Sequence, residues 1–231
     1  PVPKPASRVD GVPHLPGVEV TSALARVSGN VGLLRNLLND FRGSWADAER
    51  EAKRACEELS RYDLMFSGEA QYEIGEVRLR LGDTDGARGA FRQAQELSRL
   101  PEPGMSLLRL AKGDAPGANM YIKRALADVE SHAFIQARLL PAAVEIGIAA
   151  GDLDAVAQHV AELERIAGSF RTTAVTAAAE YARGLLLLAS GDAATALARL
   201  RHAVELWHAI GAPYETAKAR TALGEAFRAD G

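Results

Sequence analysis

Apolar residues recur at intervals of three and four along most of the chain, which is the spacing that places side chains on one face of a helix. The pattern is clear after Ser44, a residue suited to cap a helix N-terminus, with Asp47 three positions later. The apolar face of this first helix carries Trp45, Ala48, Ala52, Ala55, Cys56 and Leu59. The pattern therefore predicts an amphipathic helix from about residue 45.

A Gly-Asp pair separates the helical stretches from residue 68 onward. Glycine adopts the left-handed conformation that closes a helix, and the aspartate after it can cap the next helix. The pairs are Gly82-Asp83, Gly113-Asp114, Gly151-Asp152 and Gly191-Asp192, and the intervals from Gly82 to Gly231 are 31, 38, 40 and 40 residues. A period in this range predicts a helical solenoid, because one helix pair cannot bury its own apolar face.

The segment from Gly68 to Leu97 resembles a tetratricopeptide unit. Ile74 and Gly75 match the Leu-Gly pair of its first helix, and Gly82 matches the glycine between its two helices. The first-helix glycine recurs at Gly184 and Gly224 and is replaced by Ser106 and Val144 in other units. The small and apolar positions expected to be buried in the second helix are Ala87, Phe91 and Ala94; Ala118, Ile122 and Ala125; Val156, Val160 and Leu163; and Ala196, Leu200 and Ala203.

Three longer stretches resemble the helical-repeat region of large bacterial LuxR-type transcriptional regulators, relatives of the maltose-regulon activator. They run over residues 103–114, 137–152 and 206–220. The resemblance implies a sensor or scaffold region that binds an effector or a partner protein, joined in such regulators to an ATPase and a helix-turn-helix. The sequence itself contains neither a G-x-x-x-x-G-K-[ST] phosphate loop nor a recognisable helix-turn-helix.

We therefore predict an all-α fold, a right-handed α-solenoid of tetratricopeptide-like helix hairpins. Residues 1–17 contain five prolines and are interpreted as a linker, residues 18–43 as a helical hairpin, and residues 44–231 as the repeat domain with an incomplete last repeat. We also expect the chain to be a piece of a longer protein.

Composition narrows the classes of partner. Lys and Arg (27) nearly balance Asp and Glu (30), so the basic surplus typical of proteins that bind phosphate backbones is absent and no direct nucleic-acid contact is expected. No stretch approaches 18 uninterrupted apolar residues, so no membrane span is expected. A single cysteine and the lack of an apolar leader favour the cytoplasm.

The titratable residues do not predict catalysis, a metal site or a cofactor. No two of the five histidines (His14, His132, His159, His202 and His208) have the i, i+4 spacing that pairs imidazoles on a helix face. Cys56 lies on an apolar face, which favours a buried thiol over a nucleophile. The aspartates that follow the glycines are explained by helix capping.

The candidate binding surface is the face formed by the first helix of each pair, which lines the concave side of tetratricopeptide arrays. Its residues are located by counting from the glycines. We expect this face to bind a protein or peptide partner, or a small-molecule effector. A free-standing peptide adaptor, a homodimerisation scaffold and, less favoured, an enzyme on a helical scaffold are the alternatives. The predicted residues of this face are Glu69, Tyr72, Glu76, Arg80, Arg138, Glu145, Tyr181, Lys218, Glu225 and Arg228.

Overall fold

A computed structural model describes residues 46–47, 49–50, 53–54 and 64–231. The predicted linker (1–17), the predicted hairpin (18–43), Ser44, Cys56 and His14 lie outside these residues. All regular structure in the described part of the chain is helical, as predicted. The helices are α1 (Leu64–Arg80), α2 (Thr84–Glu96), α3 (Gly104–Ala111), α4 (Ala115–Asp128), α5 (Ala133–Ala149), α6 (Leu153–Phe170), α7 (Thr173–Ala189), α8 (Ala193–Ala209) and α9 (Pro213–Asp230).

The chain divides into two compact units, one ending at Gly104 and the other beginning at Met105. In the first unit α1 packs along α2. In the second unit each helix from α4 to α9 packs on the next one in sequence, and α7 also contacts α5 and α9. The odd-numbered helices α5, α7 and α9 are therefore neighbours in space.

The Gly-Asp pairs form the corners that the sequence predicts. Gly82, Gly113, Gly151 and Gly191 all have φ between 73° and 84°, the left-handed region that favours glycine. At each corner the aspartate N–H bonds to a carbonyl of the helix before it, as Asp192 does to Leu187 at 2.9 Å. Its carboxylate accepts from a backbone N–H in the first turn of the next helix, as from Thr195 at 3.1 Å. One aspartate thus closes one helix and opens another.

A fifth corner joins α8 to α9 and was not predicted. Gly211 has φ 69°, and the N–H of Ala212 bonds to the carbonyl of Trp207 at 3.0 Å. The methyl side chain of Ala212 cannot accept a hydrogen bond to cap α9, and Pro213 occupies the first turn. Proline suits that position because its fixed φ is helical and its missing N–H would have had no helical partner.

The second helix of each pair buries the positions that the repeat predicts. Eleven of the twelve are completely inaccessible, and the twelfth, Ala125, is partly buried. In the first unit, Phe91 fills the space beside Gly75, where an added Cβ would lie 2.5 Å from the ring. In the second unit, a Cβ added to Gly184 would lie 2.6 Å from the side chain of Leu200. These glycines let two helices cross at short distance.

Within the described residues, no helix is long and apolar enough to cross a lipid bilayer.

Substitution of Gly75 tests the close crossing of α1 and α2. Alanine is the better helix former by roughly 1 kcal/mol, yet in Gly75→Ala its methyl group would overlap the rigid Phe91 ring. We expect a net destabilisation of about 1–3 kcal/mol, measured by urea denaturation. The matched control is Gly89→Ala, since Gly89 lies in α2 with open space around it. This control should stabilise the protein by about 0.5–1 kcal/mol. Equal effects of the two variants would contradict the packing argument.

A second comparison tests the corners. Asp192→Ala removes one helix cap and should cost about 1 kcal/mol. Asp152→Ala should lower the unfolding temperature further than Asp192→Ala does, because Asp152 also accepts from Asn119 at 2.8 Å and pairs with Lys123. Thermal unfolding of the two variants measures the difference. Asp192→Asn is the control, since asparagine caps helices as well as aspartate does, and it should unfold at nearly the wild-type temperature.

Candidate functional site

Three residues of the predicted face meet at one point in the second unit. Glu145 lies on α5, Tyr181 on α7 and Lys218 on α9, and each is on the first helix of its pair. The Lys218 ammonium donates to the Glu145 carboxylate, with Nζ 2.5 Å from Oε1. The same Nζ lies 5.6 Å from the centroid of the Tyr181 ring. Residues that the sequence assigns to one face therefore meet in the structure, although Glu145 and Lys218 are 73 positions apart in the chain.

A fourth side chain, Tyr214, lies beside the same ammonium. Tyr214 precedes Lys218 by one helical turn on α9, and its ring centroid lies 5.9 Å from Nζ. The ammonium is thus close to two aromatic rings and one carboxylate, an environment that favours a cation. Tyr214 was not predicted because the Gly211 corner was not recognised, so the start of α9 was not counted. Its i, i+4 spacing from Lys218 was the available signal.

The ion pair connects two helices whose backbones are not in contact. In the described structure α5 and α9 have no backbone contact, and α7 lies beside both. The pair therefore passes over Tyr181 of the intervening helix. The side chains of Lys218 and Glu145 keep 33% and 25% of their surfaces exposed, so solvent and ligands can reach them. A pair this exposed is of modest strength, about 1 kcal/mol or less.

The surroundings of Tyr181 determine what its hydroxyl can do. Burial of the ring, followed by the negative charges of Glu145 and Glu225 and the proximity of Tyr214, raises the pKa of the Tyr181 phenol well above its usual value. The phenol therefore stays neutral over the physiological range. It can donate a hydrogen bond to a ligand, but it cannot act as a phenolate nucleophile or a general base. We refer to Glu145, Tyr181, Tyr214, Lys218 and Glu225 as the α5–α7–α9 cluster.

The four predicted residues of the first unit form a different arrangement. Tyr72 is only 3% exposed. Its hydroxyl donates to Glu76 at 3.2 Å and accepts from the N–H of Gly104 at 3.1 Å. Arg80 pairs with Glu76 at 2.9 Å. Arg99 lies over the Tyr72 ring, and it also pairs with Glu69. The ring and hydroxyl of Tyr72 are thus enclosed by their own unit, and they hold the backbone at Gly104 against α1.

Two of the remaining predicted residues, Arg138 and Arg228, lie apart from the α5–α7–α9 cluster. Arg138 is exposed on α5, two helical turns before Glu145. Arg228 is exposed in the last turn of α9. Glu225 is exposed and acts on Tyr181 through its charge. Among the predicted residues of the second unit, Glu145, Tyr181, Lys218 and Glu225 therefore share a location, and the two arginines do not.

A second polar cluster lies between α4 and α6. Asp152 pairs with Lys123 and accepts from Asn119, and these contacts hold the pKa of its carboxyl below the usual value. His159 lies nearby, partly buried, with its Nε2 inaccessible and without a hydrogen-bond partner in the described structure. Within the described part of the chain, no group of three or more His, Cys, Asp or Glu side chains could hold a metal ion.

Comparison with known proteins leaves the fold and this geometry as the basis for assigning a function. No family model matches the chain, and neither a curated protein nor a solved structure matches it at a significant level.

The burial of His159 predicts a pH dependence of stability. Burial, and then the charge of Lys123, lowers the pKa of His159 below its usual value of 6.5, although Asp152 opposes this. The imidazole of His159 is therefore protonated at a higher pH in the unfolded chain than in the folded chain. Stability should be retained above pH 6.5 and should fall as the pH decreases through that value.

The measurement is the midpoint of urea unfolding at a series of pH values between 5 and 8. His159→Gln should show a smaller decrease below pH 6.5 than the wild type. His208→Gln, which alters an exposed histidine at the end of α8, is the control and should follow the wild-type curve. If His159→Gln followed the wild-type curve, the imidazole of His159 would be equally basic in the folded and unfolded chains.

Proposed function

We propose that this chain is a non-catalytic binding module of a bacterial transcriptional or signalling regulator that acts in the cytoplasm. It holds a protein or peptide partner, or a small-molecule effector, on the face formed by α5, α7 and α9. The architecture that fits this role is a right-handed α-solenoid of tetratricopeptide-like helix hairpins, with this face on its concave side.

The observation that carries the proposal is the α5–α7–α9 cluster. Ligand sites combine apolar or aromatic surface with a few convergent polar groups that orient the ligand. Here two tyrosine rings, an ammonium and a carboxylate converge from three separate helices. The charged groups remain partly exposed, so a ligand can reach them. Tyr181 supplies an uncharged hydroxyl at the centre.

The repeated corners support the same proposal. Each Gly-Asp corner connects the first and second helix of a pair in the same way, and α7 contacts the first helices on both sides. This arrangement exposes equivalent positions of successive first helices side by side. Binding surfaces of repeat proteins are built in this manner.

Site-specific photo-cross-linking tests the proposal. A benzoylphenylalanine at Thr221, an exposed position on α9 one turn beyond Lys218, should form an adduct of discrete mass when irradiated in lysate of the cells that make the protein. Lys218→Glu reverses a charge on the face and should change the yield of this adduct about fivefold or more, in the direction set by the charge of the partner. Mass spectrometry identifies the adduct and its stoichiometry.

The control places the same photoreactive residue at Ala198, an exposed position on α8, the second helix of its pair. We expect no discrete adduct from this position. Equal labelling from both positions, unaffected by Lys218→Glu, would refute a specific binding face. An adduct at twice the mass of the chain would instead support the homodimerisation scaffold.

A further inference from the structure

Lys218 occupies the site that a cationic ligand would need. Its ammonium is held by the Glu145 carboxylate at 2.5 Å and lies close to the rings of Tyr181 and Tyr214. Two aromatic faces and a carboxylate form the kind of environment that proteins use to recognise alkylammonium groups. In this chain the occupant is one of its own side chains.

The charges around Tyr181 favour a cation over an anion. Glu145 and Glu225 both act on the Tyr181 phenol through their negative charge. With one ammonium against two carboxylates, the α5–α7–α9 cluster is formally negative. The tyrosine rings present their electron-rich faces to the ammonium, and these faces repel anions. An anionic ligand would have to displace Glu145 from Lys218 and would then face the two electron-rich rings.

The resident ammonium is also displaceable. Lys218 is a third exposed and is carried by a flexible chain of four methylene groups. An ion pair this accessible contributes about 1 kcal/mol or less, so a ligand cation with better contacts can replace it. The released Lys218 then extends into solvent, where its ammonium is fully hydrated.

We propose that the α5–α7–α9 cluster binds an alkylammonium group, such as a lysine side chain of a partner, and that Lys218 occupies this site when no ligand is bound. This inference rests on the proposed binding function of the face. It specifies, in addition, that the ligand group is positively charged and that Lys218 competes with it for the site. Removing the Lys218 cation should therefore strengthen binding, which is opposite to the result expected for an anionic ligand.

The experiment uses the full chain with ¹³C-labelled tyrosine rings, titrated with n-butylammonium or with butyrate at constant ionic strength. The two probes have the same alkyl chain and opposite charges. In Lys218→Gln, n-butylammonium should shift the ring signals of Tyr181 and Tyr214 in a saturable way, while those of Tyr72 and Tyr121 stay unchanged. Its dissociation constant should be about fivefold lower than in the wild type, since the competing ion pair is lost.

Three further variants control for folding and for general charge effects. Lys123→Gln removes a lysine that is paired with Asp152 elsewhere in the same unit, and it should bind n-butylammonium as the wild type does. Lys218→Met, a second variant without the cation, should show the same gain and keeps the test decisive if Lys218→Gln folds poorly. Lys218→Arg retains the internal cation and should not show the gain. Circular dichroism verifies the helical content of each variant.

The remaining outcomes distinguish failure of the cationic assignment from failure of the proposed binding function. If butyrate shifts the Tyr181 and Tyr214 signals and n-butylammonium does not, the face binds ligands but the cationic assignment is wrong. If neither probe shifts them in Lys218→Gln, the cationic assignment is also wrong. In both cases the cross-linking experiment at Thr221 still decides the proposed binding function separately.

Discussion

The left-handed glycine followed by a capping residue is the constraint on which the rest of the structure depends. It reverses the chain within three residues, and the aspartate satisfies backbone groups of both helices that meet there. Because the geometry is nearly the same at Gly82, Gly113, Gly151 and Gly191, the helices that follow start in equivalent positions. Side chains at the same distance from a corner then perform the same task in different pairs.

The core and the candidate site are two products of this equivalence. Nine positions after its corner glycine, each second helix carries a fully buried apolar residue, of which Phe91 and Leu200 face a glycine of the preceding helix. The first helices α5, α7 and α9 lie side by side, and their accessible positions form the cluster around Tyr181. The same spacing rule therefore fixes which residues pack and which remain available.

The sequence predicted these features as far as they follow from local conformation. The corners were predictable because glycine and aspartate have strong positional preferences at helix ends. The corner at Gly211 was missed because no aspartate follows it, and proline takes over at the helix start by a different mechanism. Periodicity also predicted which second-helix positions are buried, with Ala125 alone retaining some exposure.

The candidate site was less predictable because it depends on contacts between distant segments. Counting from the glycines assigned Glu145 and Lys218 to one face. It did not predict that they form an ion pair across a third helix. Tyr72 was assigned to the same face, yet it is buried, because its hydroxyl is held by Glu76 and the N–H of Gly104. The number of partners around a tyrosine is a tertiary property that helical spacing does not encode.

The corners have a constant length, whereas the helices and the connections between pairs vary in length. The segments between a first and a second helix, such as Leu81–Asp83 and Ser190–Asp192, always contain three residues, whereas those between pairs vary from the long Leu97–Pro103 to the short Arg171–Thr172. A residue added at a corner would rotate the helix that follows and disrupt both caps. Insertions and deletions are therefore expected to accumulate between pairs during evolution, so that the chain can change in length while the registry within each pair is inherited unchanged.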